Sequence, residues 1–548
     1  MKNRKREGSR TKFRVDTFCL QAIAALLFGF VCVVVFCVIF IGDRMGYYDF
    51  YIVFRVVSNP VLAGICVAAA ACWIGMIRVG RSRELLKQTD RLLTLGLVFL
   101  FTGVYFINSK LCREIAFFSG WDAFAVEKTA LNFAQGKGVM GELEYYSLYP
   151  TNLPITYIMA WLYCLAEGLK WYPYPSEFIW IQVNCVAISV TGFALCMSVK
   201  KLKRRWIDVL LAFLLYCAGI CVSPWKIIPY TDMYAFPFPC LAICMYIYSK
   251  ASKSRFQSTV SLILAYGFGM IGGMIKASVY LVPIAMFLIE TIISLYHMRE
   301  RMKVLLLEAL VIVLCTVGIS SFYDRIYRET DFQPIANLET SWHHYFLMGV
   351  NDFATGAFNS DVVGVVLEEF RDRPKEERNA AELERALAQI KEKGLIGYPV
   401  FLLKKLTMTF NDGTFCWNKE GLFFRDYYYP ISDADAFTVF LRDCFWPNYK
   451  YSGRVNTYSQ LVWLFTLLGI HGFCFFGKKR KCPECSLIQL SLLGIFFYIM
   501  LFEARARYLL CFWPLYTLAA VLGYDRYEEA LTDLRNRRKR MQNRKIQL

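Results

Sequence analysis

Runs of apolar residues, each roughly the 20 residues that a helix needs to cross a hydrocarbon core about 30 Å thick, recur along most of the chain and are broken by short polar and basic connections. None shows the alternation of barrel strands, and a lipid-exposed backbone satisfies its polar groups only in a helix or a closed barrel. The pattern therefore predicts an all-α polytopic membrane protein of about twelve spans, near residues 18–41, 60–77, 92–109, 177–198, 207–222, 234–249, 258–275, 279–296, 304–321, 457–476, 487–502 and 508–524. The first run follows Lys2, Arg4, Lys5, Arg6, Arg10, Lys12 and Arg14 and has no small-residue cleavage site at its end, so it reads as a retained anchor.

Lys and Arg set the topology, because short loops keep positive charge in the cytoplasm. The basic connections are Arg78 to Arg91, Lys200 to Arg205, Lys250 to Arg255, His297 to Lys303 and Lys478 to Lys481, with a tail from Arg526. Placing all of them inside puts both termini inside. It leaves three connections outside: residues 110–176, Ser223 to Met233, and residues 322–456. Crossing by Leu153 to Ala166 would break this parity, so that apolar stretch is expected to lie at the outer interface. The chain then divides into 1–91 (basic N-terminus and two added spans), 92–321 (a core with external loops), 322–456 (an external, mainly helical soluble domain), 457–524 (the last spans) and 525–548 (the basic tail).

Composition agrees with that class: 57% of residues are hydrophobic, 17% aromatic and 19% charged. The net charge of +18 does not imply a nucleic-acid partner, since the excess sits in the tails and basic loops, where orientation and anionic head groups account for it. The 20 cysteines fall mostly inside apolar runs and behave there as small hydrophobes. Cys416 and Cys444 are the one external pair whose bridging is conceivable, and Cys482 and Cys485 form only half of a zinc knuckle. No Walker loop, Rossmann glycine fingerprint or HExxH pair is present.

Chemistry is then expected where polar groups gather in the external loops. The first loop holds Trp121-Asp122 and the stretch Tyr149-Pro150-Thr151-Asn152; the second holds Pro229-Tyr230-Thr231-Asp232. From spacing alone, Asp122 suits the N-cap of a helix starting at Ala123 and Asp232 that of a helix near Tyr234. Equally, two loop carboxylates on one face suit acid–base work. Lys276, Arg505 and Arg507 stand in short external connections, where they either snorkel, pair with Glu503, or bind phosphate. In the third loop, Ser341-Trp342-His343-His344-Tyr345 is an aromatic polar patch that suits either a membrane interface or a sugar face.

The order of Asp122, the Tyr-Pro-Thr-Asn stretch, Tyr230-Thr231-Asp232, Lys276-Ala277-Ser278 and Glu503-Ala504-Arg505-Ala506-Arg507-Tyr508 resembles the GT-C membrane glycosyltransferases. The nearest likeness is to bacterial glycosyltransferase family 39, with protein O-mannosyltransferases and the aminoarabinose transferase of lipid A more distant. It covers roughly residues 92–524. The resemblance implies a polyprenyl-phosphate-sugar donor and a glycan, lipid or protein acceptor on the extracytoplasmic face of a bacterial plasma membrane. It further implies Asp122 as catalytic base, with Asp232 assisting or the two together holding a divalent cation such as Mg or Mn. Lys276, Arg505 and Arg507 would meet the donor phosphate, and Tyr149, Asn152, Tyr230, His343, His344 and Glu503 would line the substrate site. The chain lacks the Asp-Glu pair and the His-Pro-Pro of the mannosyltransferases, which puts a protein acceptor in doubt. A transporter or flippase of lipid-linked saccharides, and a polysaccharide polymerase or ligase, are the alternative readings; the first calls for ionisable residues deep within spans.

Overall fold

Each expected span coincides with a helix in the computed structural model, which describes residues 15–44, 55–82, 90–138, 141–169, 178–203, 205–295, 298–417, 424–427, 434–474 and 482–547. The basic segment Lys2 to Arg14 and the Lys478 to Lys481 cluster lie outside the described residues, as does part of the Arg78 to Arg91 connection. In chain order the long helices are α1 (Val15–Phe40), α2 (Asn59–Ser82) and α3 (Asp90–Ile115). A first loop follows, with β1 (Phe117–Ser119), α4 (Trp121–Ala134), α5 (Leu143–Leu148) and α6 (Leu153–Gly168). Next come α7 (Ile179–Lys203), α8 (Trp206–Tyr216), the short α9 (Thr231–Ala235), α10 (Pro237–Ala251), α11 (Arg255–Ile275), α12 (Leu281–Ser294) and α13 (Met298–Thr330). The third loop contains α14 (Trp342–Val350), α15 (Ser360–Gly364), α16 (Lys375–Phe410), β2 (Phe424–Tyr427) and α17 (Ala436–Phe445). The chain closes with α18 (Ser452–Cys474), α19 (Pro483–Leu501) and α20 (Trp513–Gln547).

Among the described residues, nine helices are long and apolar enough to cross a membrane. Helix α18 falls outside that number because it carries Asn456, Gln460, Thr466 and His471. It can do so because Asn456, Gln460 and Thr466 are buried within the bundle, where neighbouring helices satisfy them. Burial also orders the bundle from centre to rim. The apolar window of the last helix is 94% buried and that of α13 only 11%, so α20 is the axis and α13 faces outward. Phe99 on α3 and Leu306, Leu310 and Leu314 on α13 are exposed, as lipid-facing positions require.

The stretch Leu153 to Ala166 is helical as α6, with Ile155, Met159 and Tyr163 buried in the main core. The third loop departs from the expected separate domain. Leu347, Met348, Val350, Val362 and Ala386 build a small core of their own, but Leu406, Phe410, Trp417, Leu441 and Trp446 belong to the core of the bundle. The change comes at Gly394, whose φ of 66° breaks α16. Beyond it the sequence turns apolar, and Phe410 stacks on Phe496 of α19 at 4.8 Å. Cys416 and Cys444 are both free thiols.

The residues before α2 are fastened to the end of α16 by a buried amide network. Asn411 Oδ1 accepts from Asn59 at 2.7 Å, and the Asn411 carbonyl accepts from Arg55 at 2.9 Å. Gln460 of α18 donates to Asn59 at 3.1 Å. The two added N-terminal helices are thus part of the same body as the rest.

Candidate functional site

Four connections far apart in sequence meet at one point: the first loop, the second loop, the turn at Lys276 and the segment Glu503 to Tyr508. Strand β1 pairs antiparallel with β2, Phe117 opposite Tyr427, and delivers the chain to Gly120 and Trp121. Trp121 adopts a φ of 45°, the left-handed region that a bulky residue enters only when its surroundings compel it. Helix α4 starts at Trp121, and its N-cap, Gly120, makes no side-chain cap bond. Asp122 is therefore not the cap that its spacing suggested. Instead its Oδ2 accepts from the Tyr230 hydroxyl at 3.0 Å.

Asp232 is likewise no cap. Helix α9 begins one residue earlier with Tyr230 as N-cap, and the Asp232 side chain is fully buried between two cations. Lys276 Nζ lies 2.8 Å from Oδ1, and Arg507 Nε lies 3.4 Å from Oδ2. Both cations are about one-tenth exposed. Lys276 is thus an ion-pair partner rather than a snorkelling end-of-span residue.

Aromatic rings complete the enclosure. The Arg507 guanidinium sits 4.7 Å from the Trp121 ring centre and 5.4 Å from that of Tyr230, while Lys276 Nζ lies 4.7 Å from the ring of Tyr508. Trp121 and Tyr230 meet edge to face at 4.8 Å. Such rings hold cations through their quadrupole with little cost in rotamer freedom. The unusual backbone at Trp121 is what aims its ring at Arg507 while leaving Asp122 beside Tyr230. Tyr230 is the shared element, touching the carboxylate with its hydroxyl and the guanidinium with its face.

Tyrosines surround Asp122. Asn152 Nδ2 donates to Tyr145 at 2.7 Å and to Tyr230 at 3.4 Å. Burial, and then the Asp122 charge, push the Tyr145 and Tyr230 hydroxyls well above their ordinary acidity range. Tyr149 is raised by burial and then by Tyr345, Asp122 and Glu503. Tyr345 is pushed up to about 12 by burial, with Glu503 and Asp122 adding to the shift. These hydroxyls stay protonated at neutral pH and serve as hydrogen-bond groups.

Glu503 and Arg505 enter on an extended segment after α19. The Glu503 amide donates to the Tyr345 carbonyl at 3.0 Å and the Ala504 amide to the Gly356 carbonyl at 2.8 Å. Gly356 has a φ of 80°, and a Cβ there would lie 2.6 Å from the Gly349 carbonyl oxygen, so only glycine fits this close approach. Arg505 Nε is 3.6 Å from Glu503 Oε1, which is the pairing foreseen for it, whereas Arg507 turns to Asp232. Lys405 holds the segment from behind, donating to the carbonyls of Gly349 and Phe502 at 2.6 Å each and of Met500 at 3.3 Å. Burial pushes Lys405 down to about 7.

The two histidines do not join this cluster. His344 Nδ1 lies 3.0 Å from Glu382 Oε1 of α16, and both side chains are buried. His343 bonds Ser341 Oγ at 2.9 Å and stacks on Trp342 at 3.8 Å. They brace α14 on α16, the expected result of placing His344 on the inner face of a short helix.

A divalent cation does not fit Asp232, because an ammonium and a guanidinium already stand where the ion would. Among the described residues no group of three or more His, Cys, Asp or Glu side chains gathers to hold a metal. Around Asp122 stand tyrosine hydroxyls that stay protonated, a poorer donor set for Mg or Mn than the several carboxylate and carbonyl oxygens these ions favour.

Trp121, Tyr145 and Tyr508 are the site residues that sequence reading passed over. Each adjoins, or shares a short motif with, a residue that was singled out. The signal for them was adjacency to Asp122, Tyr149 and Arg507.

No curated protein matches the chain in a sequence comparison. A protein-family model described as conserved hypothetical integral membrane protein matches residues 17–527, a span that takes in the bundle and every residue of the site. The chain is an integral membrane protein and belongs to that family.

Proposed function

We propose that the chain is a membrane glycosyltransferase that moves a sugar from a polyprenyl-phosphate donor to an acceptor hydroxyl on the extracytoplasmic face of a bacterial plasma membrane. The supporting observation is that Asp122 and the cationic pair on Asp232 share one neighbour, Tyr230. A carboxylate and a fixed positive field then lie on the two sides of the Tyr230 side chain.

In this reading the acceptor oxygen attacks the anomeric carbon and gives its proton to Asp122. The carbon–oxygen bond to phosphate breaks, and the polyprenyl phosphate leaves with the bonding electrons. Charge grows on the phosphate oxygens as that bond opens, so preorganised cations stabilise the transition state more than the ground state. Asp232 is a positioning residue here. It takes one of the two charges from Lys276 and Arg507 and leaves a net positive pair facing the donor, with Arg505 beside it. The acceptor, whether glycan, lipid or protein, meets the tyrosines around Asp122.

The test is transfer from a labelled polyprenyl-phosphate sugar in proteoliposomes. Asp122→Asn is expected to lose transfer while keeping its fold; full transfer by a folded Asp122→Asn protein removes Asp122 from the mechanism.

A second reading, a transporter of lipid-linked saccharides, has one observation in its favour. Glu290 and Glu308 are fully buried within helices of the bundle. Glu290 meets Tyr246, Lys250 and Arg301, and Glu308 has the Tyr266 hydroxyl as its neighbour. Glu308 stands ten residues from the start of α13 and six from its middle, and Arg301, seven residues or about 10 Å before it, pairs with Glu290; an ionisable group at that depth is what a transport site calls for. Uptake of labelled lipid-linked saccharide that survives Asp122→Asn but fails in Glu308→Gln would favour transport.

A further inference from the structure

Between α2 and α20 runs a groove of about 510 Å³, away from the site described above. Its α2 wall is Val67, Ala70, Ala71, Ile74, Gly75 and Arg78, the i, i+3, i+4, i+7 stripe of one helix face. Its α20 wall is Tyr527, Glu528, Leu531 and Arg535, with Leu468 of α18 at the base. The groove exists because Ala70, Ala71 and Gly75 are small: a Cβ on Gly75 would meet nothing within 4 Å. From Val67 to Arg78 is eleven residues, about 16 Å of helix, close to half of a hydrocarbon core about 30 Å thick.

Both walls run toward the same end and finish there on an exposed arginine. The one carboxylate in the wall, Glu528, lies two turns from Arg535; it is buried, and it accepts from Thr532 at 2.8 Å. An apolar trough one leaflet long, open at a doubly cationic mouth, has the polarity of a phospholipid with a negative head group.

We propose that this groove binds one anionic phospholipid, an acyl chain lying between α2 and α20 and the phosphate held by Arg78 and Arg535. Arginine forks suit phosphate oxygens, and basic residues near a membrane surface each favour anionic lipid by about 1 kcal/mol. The full chain, stripped of lipid in detergent, would be titrated with phosphatidylglycerol or phosphatidylcholine and read by native mass spectrometry.

One tightly held phosphatidylglycerol is expected, with phosphatidylcholine weaker. Arg78→Gln with Arg535→Gln should weaken phosphatidylglycerol roughly thirtyfold, about 2 kcal/mol. Gly75→Leu should block the trough and abolish the same binding with both arginines intact. An Arg535→Lys protein that retains most of the binding would show that loss in the glutamine variants is not misfolding. Equal retention of the two lipids, or unchanged binding in the folded Gly75→Leu protein, would overturn the proposal.

Discussion

Replacing Asp232 by asparagine keeps its shape and removes its charge, which isolates the electrostatic part of the buried triad. The wild-type carboxylate faces Lys276 at 2.8 Å and Arg507 at 3.4 Å, all three largely out of water. Coulomb's law with an effective dielectric near 20 gives gross attractions of roughly 6 and 5 kcal/mol. Desolvation offsets most of this, and the net cost of removing one partner from a buried pair is about 3–5 kcal/mol. In Asp232→Asn the two cations also repel one another unscreened. Denaturant titration in mixed micelles should show a loss in that range. Adding Lys276→Met removes one orphaned charge, so the double variant should recover about 1–3 kcal/mol relative to additivity. Sugar transfer should fall in both, because Arg507 loses its anchor. A loss below about 0.5 kcal/mol in Asp232→Asn, or an additive cycle, would refute the idea that the carboxylate holds the cations.

Asp122→Asn should leave stability within about 1 kcal/mol of wild type, because its Tyr230 contact survives, while transfer falls about 10²- to 10⁴-fold as expected for a lost general base; equal losses in both would make Asp122 structural. Lys405 gives a pH test: its folded value near 7 lies below the ordinary 10.5, so between the two the unfolded chain holds more protons and stability rises with pH. Relative to Lys405→Met, wild type should gain about 1.4 kcal/mol per pH unit from pH 7 upward, and a flat difference would mean that the three carbonyls keep the ammonium charged. Gly356→Ala forces a left-handed backbone and a Cβ against the Gly349 carbonyl, so denaturation should show a loss of roughly 1–3 kcal/mol, and a neutral result would discard that packing argument.

The spans were legible because lipid imposes a length and an apolarity that no packing partner can relax. The added N-terminal pair, the core and the last spans all stand where the hydrophobic pattern put them. The site was half legible. Asp122, Asp232, Lys276, Arg505 and Arg507 could be picked out as polar groups in short connections, but their partners could not. Asp122 and Asp232 sit near helix starts, and the same spacing serves a cap or a tertiary contact; only the approach of Tyr230, Lys276 and Arg507 decides. His344 was misjudged for the same reason, since its partner Glu382 lies 38 residues away on another helix. Residues 395–410 turn apolar, but that they return to the bundle depends on the backbone angle at Gly394, which no residue pattern specifies.

The last helix has a mechanical consequence. At 1.5 Å per residue, the 35 residues from Trp513 to Gln547 form a rod about 52 Å long, some 20 Å more than a bilayer's hydrocarbon interior. Its buried half is the axle of the bundle, so its projecting half is a stiff mast without an intervening hinge. Whatever pulls on that mast is felt directly at Trp513, six residues from Arg507.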